Sequence, residues 1–345
     1  MSRNDEPIRV LIVRLGAMGD ILHALPGVTA LRQARPAWQI GWAVEPRWRA
    51  LICADRVHLV NAKAWARAPL SPSTLRDIRD LRRELRARHY DLCIDLQGAV
   101  RSAFVGRLAG ARRMIGEDRP REWAARYLFG EKVRTHGTHV IEQAVEVCAA
   151  AIGEPLSAVS PCLPVNREAE AWTDEVLHET GSRPVVLLNP GAGWGAKRWP
   201  AERYGEVARN LYGQGCAVLV NSGPEERSIA AEVVRASGGV AQAPELSVPE
   251  FSLERLIALT RRVSLVIAGD TGPLHLGCAL GKPVVGIFGP TDPARNGPFG
   301  VPFRVLRHPD SKRDHTRHEQ PEAGLLTITA RQVVEAAGEL LQGRL

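Results

Sequence analysis

Strand-length apolar runs recur along the chain, most followed by a Gly-bearing loop and a segment of helical periodicity. In the first half, residues 8–13, 39–44 and 91–95 read as strands. Residues 20–34 form an apolar helix ended by Arg35-Pro36, and residues 75–88 a charged surface helix. After a connection over residues 153–184, which carries Ser160-Pro-Cys-Leu-Pro164 and a charged helix reaching Gly181, the pattern restarts. Strands are expected at 185–188, 216–221, 264–269 and 283–288. Helices are expected at 201–212, at 225–236, from near Pro273, and over 329–342. Alternating strands and helices predict parallel sheets covered on both faces, here two βαβ domains in tandem. The expected division is 1–165, 166–328, and a C-terminal helical segment, 329–345, packing back toward the N-terminal domain.

The 345 residues suffice for two cores, and 45% apolar with 24% charged residues is an ordinary globular balance. The longest apolar runs are strand-sized, so no transmembrane helix is expected. The first residues lack the long apolar region of a signal peptide, which predicts a cytoplasmic protein. Cys53, Cys93, Cys148, Cys162, Cys216 and Cys278 are scattered without Cys-x-x-Cys spacing. They read as reduced core residues, neither disulfides nor a metal site.

The net charge of +7 is unevenly placed: residues 1–150 carry 25 Lys+Arg against 16 Asp+Glu, the remainder 20 against 22. Any single Arg is best read as part of a solvated helix face. A whole half so biased points to an anionic partner: nucleic acid, an acidic membrane surface or a phosphorylated glycolipid. Few aromatics accompany the Arg clusters and no nucleic-acid motif is present, so no nucleic-acid partner is expected.

Three loops fall at carboxyl ends of expected strands, where open α/β sheets bind ligands. In Gly16-Ala-Met-Gly19-Asp20, the glycines allow close backbone approach to a sugar. Asp20 is either a helix N-cap or a catalytic carboxylate. In Asn189-Pro-Gly-Ala-Gly-Trp-Gly-Ala-Lys197-Arg198-Trp199-Pro200, backbone donors and two cations precede a helix, which suits phosphate as well as a plain surface loop. Asp270-Thr-Gly-Pro-Leu-His275 suits a pyrophosphate at a helix N-terminus, with Asp270 on a sugar hydroxyl and His275 neutralising phosphate. The plain alternative is an Asx-type turn. Residues 308–324 read as a mobile charged loop, in which Asp314, His315, His318 and Glu319 lack the flanking elements that would fix a metal. Asp-x-Asp, Gly-x-Ser-x-Gly and Gly-x-Gly-x-x-Gly are all absent, which argues against metal-held nucleotide, an α/β-hydrolase elbow and hydride transfer.

The ordered set Arg14-Leu-Gly-Ala-Met-Gly-Asp-Ile-Leu-His-Ala-Leu-Pro26, Tyr90-Asp-Leu-Cys-Ile-Asp-Leu-Gln-Gly-Ala-Val-Arg-Ser102, Arg121-Glu122, Asn189-Pro-Gly-Ala-Gly193, Lys197-Arg-Trp-Pro200, Gly269-Asp-Thr-Gly-Pro-Leu-His275 and Gly286-Ile-Phe-Gly-Pro-Thr291 resembles the family 9 glycosyltransferases, the ADP-heptose:lipopolysaccharide heptosyltransferases. The resemblance covers nearly the whole chain. Its first and fourth segments are most similar to the members that add the first heptose of the inner core. It implies the GT-B fold: two facing doubly wound, Rossmann-like parallel-sheet domains with the active site in the cleft between them, an acceptor-binding N-terminal one and a nucleotide-sugar-binding C-terminal one.

The resemblance also implies roles. Asp20 would be the general base of an inverting, metal-independent transfer from ADP-heptose to the Kdo of Kdo-lipid A, with no cofactor. Lys197 would bind donor phosphates, with Ala192 and Gly193 offering only backbone donors nearby. Glu225 would hold the ribose, and Asp270, Thr271, Gly272 and His275 the diphosphate and heptose. The acceptor candidates are Gly16, Gly19, Arg101, Arg119 and Arg121, with Lys63 and Arg67 behind them. An anionic, lipid-anchored acceptor would give the basic half a reason, and it predicts peripheral, salt-sensitive association with the inner face of the cytoplasmic membrane. The rival expectations are a family member of the second-heptose type, a nucleotide-sugar epimerase of similar fold, and a non-catalytic nucleotide-sugar binder.

Overall fold

The computed structural model describes residues 7–343 except 224, 249, 313 and 315–317. The chain divides into two units between Pro164 and Val165. In the first, the elements run β1 (Arg9–Val13), α1 (Met18–Ala34), β2 (Gln39–Val44), β3 (Arg56–Leu59), α2 (Ala62–Arg67), α3 (Pro72–Arg86), β4 (Leu92–Asp95), α4 (Val100–Ala109), β5 (Arg113–Glu117), β6 (Glu131–Val133) and α5 (Val140–Ile152). The strands form one six-stranded sheet in the order β3-β2-β1-β4-β5-β6. Every pairing is parallel.

The central strands carry the continuous apolar runs: Val10 to Val13 and Leu92 to Ile94 are buried. A strand covered on both faces has no polar side, which is why these segments do not alternate. Edge strands β3 and β6 carry Arg56, Glu131 and Lys132 instead. The β3 edge is tied down by His58, whose Nδ1 lies 2.6 Å from Glu84 Oε1 and whose Nε2 lies 2.6 Å from the Tyr90 hydroxyl. Helix α1 buries Ile21, Leu22, Leu25, Val28 and Leu31, and packs on α5. At Gly27 a Cβ would come within 3.1 Å of the Ala144 carbonyl oxygen, so the two helices touch through backbone there.

The second unit runs α6 (Arg167–His178), β7 (Val185–Asn189), α7 (Ala201–Gly213), β8 (Ala217–Val220), α8 (Arg227–Ala236), α9 (Leu253–Arg262), β9 (Leu265–Gly269), α10 (Gly272–Ala279), β10 (Val284–Phe288), α11 (Pro293–Asn296), β11 (Phe303–Arg307) and α12 (Ala330–Gln342). Its five-stranded sheet has the order β11-β10-β9-β7-β8 and is again parallel. A bridge from Leu219 to Gln242 extends it by a short parallel step beyond β8. Helix α12, expected to reach toward the N-terminal domain, packs on α7, β9, β10 and β11. Val333, Ala336, Ala337 and Leu340 join the core of the second unit. An amphipathic helix docks where its apolar stripe is covered, and this sheet face supplies that cover.

Both strand orders are doubly wound. Connections leave in opposite directions from β1 and β4 in the first sheet, and from β7 and β9 in the second. At such a switch point the loops diverge and leave a crevice at the carboxyl edge, the place where open α/β sheets hold ligands.

Candidate active site

The carboxyl edge of the first unit is organised around Asp20, whose side chain keeps 36% of its accessibility. Asp20 lies in the first turn of α1 and is not the N-cap, a position held by Ala17. Its Oδ2 accepts the Ala17 N–H at 3.2 Å, so part of the capping role is real, exercised from the third helical position. Oδ1 is 3.3 Å from the Arg14 guanidinium, and Arg14 Nε donates to the Asp20 carbonyl at 3.1 Å. Arg121, the acceptor candidate after β5, lies 4.0 Å from Asp20 Oδ2. Arg14 also donates to the Leu96 carbonyl, and Gln97 Oε1 accepts the Leu15 N–H at 2.7 Å. The loops after β1 and β4 are thereby stitched together across the switch point.

Beneath them sits Asp95, buried at the end of β4. Its Oδ1 accepts the Gln97 and Gly98 N–H groups at 2.8 Å each, while Oδ2 has no partner among the described residues. Burial pushes this carboxyl up to about 6, against the opposing pull of the Gly98 amide, Ser102, the Gln97 amide and Arg14. Gly98 takes φ +65°, a conformation that favours glycine, and Arg121 N would lie 3.0 Å from a Cβ placed there.

Of the remaining first-unit candidates, Gly16 lies against Trp48, whose indole nitrogen would meet an added Cβ at 2.8 Å. Gly19 is half-buried in α1. Lys63 and Arg67 are exposed on α2. Arg101, in the first turn of α4, donates to the Ala62 carbonyl at 3.4 Å and so ties the two helix starts together. Arg119 is exposed after β5. All follow strands of one parallel sheet, so the fold gathers them on the same edge as Asp20. In the sequence, Arg14 stands out only as the first residue of the Arg14–Pro26 motif. Its place directly after a central strand was the available signal that it would face the crevice.

In the second unit, the loop after β7 meets the loop after β9. Lys197 Nζ lies 2.5 Å from Asp270 Oδ2 and 3.1 Å from the Asp270 carbonyl oxygen. His275 Nε2 lies 3.1 Å from Asp270 Oδ1. Burial alone would raise the Asp270 carboxyl, but His275 and Lys197 together outweigh it and hold the group well below the usual carboxylate range. The expected donor contacts of Lys197, Asp270 and His275 are therefore not three independent reaches into solvent. Asp270 and His275 are buried, and Lys197 stands between the carboxylate and the Trp194 ring, 4.4 Å from its centroid. Thr271 is the N-cap of α10, with no side-chain bond to its first amides, and Gly272 opens the helix. Ala192 is buried, while Gly193 is exposed with no atom within 4 Å of an added Cβ.

Two segments lie differently from the sequence expectation. Glu225 is exposed on a turn. Its neighbour Glu226 is the carboxylate that faces the loop after β7: Oε2 accepts the Gly223 N–H at 3.1 Å, and a Cβ on Gly191 would overlap the carboxyl group. The polar segment 308–324, expected to be mobile, is bonded to the Lys197 loop where it is described. Ala196 N donates to the His318 carbonyl at 3.0 Å, and Glu322 N to the Ala196 carbonyl at 3.2 Å. It backs that loop, and its pairing partners are backbone groups that no side-chain pattern encodes. His315 lies outside the described residues. No group of three or more metal-ligating side chains occurs among the described residues.

The same edge concentrates buried polar atoms without partners among the described residues: both side-chain atoms of Asn189 after β7, Asn221 Oδ1 and Ser222 Oγ after β8, and Thr291 Oγ1 after β10. Glu245, past the extra parallel step, has both carboxyl oxygens unbonded, and burial raises it to about 7 despite Arg255 and Arg227 nearby. Buried polar groups ordinarily find partners, so such a cluster is where a polar ligand is expected.

Residues 78–326 match the model of glycosyltransferase family 9 (heptosyltransferase). The chain belongs to glycosyltransferase family 9. Lipopolysaccharide heptosyltransferase 1 of Escherichia coli K12 is 30% identical over 311 residues, covering 88% of this chain and 94% of that protein. Among solved structures, the E. coli heptosyltransferase WaaC with ADP superposes with a TM-score of 0.79 at 27% identity, over 96% of this chain and all of that one. The same enzyme with ADP-2-deoxy-2-fluoro heptose gives 0.76 at 26% identity, over 96% and 99%. This family 9 glycosyltransferase thus carries its strand orders and two loop-borne clusters on a fold shared with a relative solved with ADP and with ADP-2-deoxy-2-fluoro heptose. No helix among its described residues is long and apolar enough to cross a membrane.

Proposed function

We propose that the protein moves heptose from ADP-heptose to the Kdo of an inner-core acceptor of the Kdo-lipid A type, inverting the anomeric centre without a metal. The observation that carries this reading is Asp20. It is a half-exposed carboxylate fixed by the Ala17 amide and Arg14, with the exposed Arg121 guanidinium 4.0 Å away. Asp20 takes the proton from the acceptor hydroxyl as that oxygen attacks the anomeric carbon opposite the diphosphate. Such a base needs position more than an unusual pKa. The second unit holds the donor. Lys197, preset by Asp270, meets the diphosphate, the amino end of α10 faces the same charge, and the unpartnered Asn189, Asn221, Ser222 and Thr291 groups meet the polar nucleoside and sugar. Glu226 takes the ribose role first expected of Glu225.

Lys63, Arg67, Arg101, Arg119 and Arg121 receive the anionic acceptor. Trp123 and Tyr127, 57% and 73% exposed, lie two and six residues after Arg121 and suit a headgroup layer, so the enzyme works peripherally at the inner face of the cytoplasmic membrane. The test is transfer from ADP-heptose to Kdo-lipid A with the product mass measured. A single heptose added only when both substrates are present supports the reading. Donor turnover without acceptor would replace it with an epimerase, and transfer only to an already heptosylated core with a second-heptose enzyme.

A further inference from the structure

Cys53 and Cys162, 109 residues apart in sequence, bring their sulfur atoms to 3.3 Å. Of the six cysteines, all expected in the core, Cys93, Cys148 and Cys216 are buried, whereas these two are exposed. Neither sits on a free tip. Cys53 lies in the turn before β3, at the amino edge of the first sheet. Next to it the buried Ile52 anchors the chain, and Asp55 Oδ2 accepts the Ile40 N–H at 2.6 Å while pairing with Arg32. Cys162 lies in the segment leaving the first unit, bracketed by Pro161 and Leu163-Pro164. Pro164 restricts the residue before it to extended backbone, and Leu163 is buried. A disulfide spans about 2.05 Å, so the two sulfurs need little more than about an ångström of further approach.

We propose that Cys53 and Cys162 are a reversible disulfide site, oxidised by low-molecular-weight disulfides, that staples the chain leaving the first unit to the amino edge of its sheet. One cysteine thiolate attacks the small disulfide, forming a mixed disulfide and releasing one small thiol. The other cysteine, as thiolate, then attacks the protein sulfur of that mixed disulfide, forming the Cys53–Cys162 bond and releasing the second small thiol. Two protein thiols are oxidised and one small disulfide is reduced to two thiols. Burial raises the Cys53 thiol, and its bond with Cys162 adds to this, so thiolate is scarce at neutral pH and exchange quickens as pH rises. The bond closes a loop through most of the first unit, which restricts the unfolded chain and strengthens the fold. The site is at the sheet edge opposite Asp20, so it acts on stability and leaves transfer chemistry alone.

The full-length protein is incubated with oxidised glutathione, its free thiols are alkylated, and peptides are mapped by mass spectrometry. A 53–162 cross-link, a raised unfolding midpoint and reversal by dithiothreitol are expected, with all three absent in Cys53→Ser and in Cys162→Ser. Both residues recovered alkylated, glutathione adducts without a cross-link, or cross-links through another cysteine would overturn the proposal.

Discussion

Lys197 and Asp270, from loops 73 residues apart, are joined by a 2.5 Å ion pair at the switch point of the second sheet. The cation expected to meet donor phosphates is therefore already placed. A phosphate arriving there shares an ammonium whose rotamer freedom has been spent in folding, which lowers the cost of binding.

Lys197→Met should remove both the phosphate contact and the main counter-charge of a buried carboxylate. Donor affinity is expected to fall at least about tenfold, and stability by about 3 kcal/mol, the low end for a broken buried pair because His275 remains bonded to Asp270. The double variant Lys197→Met/Asp270→Asn should recover much of the stability and none of the affinity. Calorimetric titration with ADP and chemical denaturation read the two effects. Additive stability losses would show that the pair is not coupled.

Asp20→Asn should retain donor affinity within about twofold and lose turnover by on the order of a hundredfold or more. Donor titration beside single-turnover transfer separates the two. Unchanged turnover would remove the general base from the mechanism.

Glu226→Gln is expected to raise the donor KM several-fold, about 1 kcal/mol for one charge-assisted hydrogen bond, with Glu225→Gln close to wild type. The reverse order would return the ribose role to the residue first expected.

Two buried carboxyls give opposite pH signatures. Asp270, held below its ordinary value, contributes stability present above its unfolded pKa of about 3.9 and lost as pH falls through the lower folded value. Asp95, raised to about 6, binds its proton more tightly when folded, so its contribution is favourable at low pH and fades as pH climbs from about 4 through 6. The fall amounts to about 3 kcal/mol on the order-of-magnitude scale of 1.4 kcal/mol per pKa unit. Asp95→Asn should flatten it, read as the difference between wild-type and variant denaturation curves from pH 4 to 7.5. Parallel curves would mean that Asp95 keeps an ordinary pKa.

Co-sedimentation with anionic vesicles should weaken as salt is added, and Trp123→Ala/Tyr127→Ala should weaken it further while transfer to a soluble, delipidated acceptor persists. Salt-independent binding would argue for burial in lipid in place of electrostatic docking.

Local pattern was enough for the central strands, since short apolar runs such as Val10-Leu-Ile-Val13, bounded by loop signals, suit a strand covered on both faces. It was enough, too, for the three loops that carry Asp20, Lys197 and Asp270, because a loop after a central parallel strand must emerge at the carboxyl edge. The edge strands β3 and β6, four and three residues long and partly charged, left no such trace. Strand order, the Lys197–Asp270 pair, the approach of Glu226 to the loop after β7, the backing of the Lys197 loop by residues 318–322, and the meeting of Cys53 with Cys162 were decided only in three dimensions. Each depends on which distant segments the folded sheets bring within a few ångströms, and contacts between segments so far apart along the chain leave no periodicity in a single sequence.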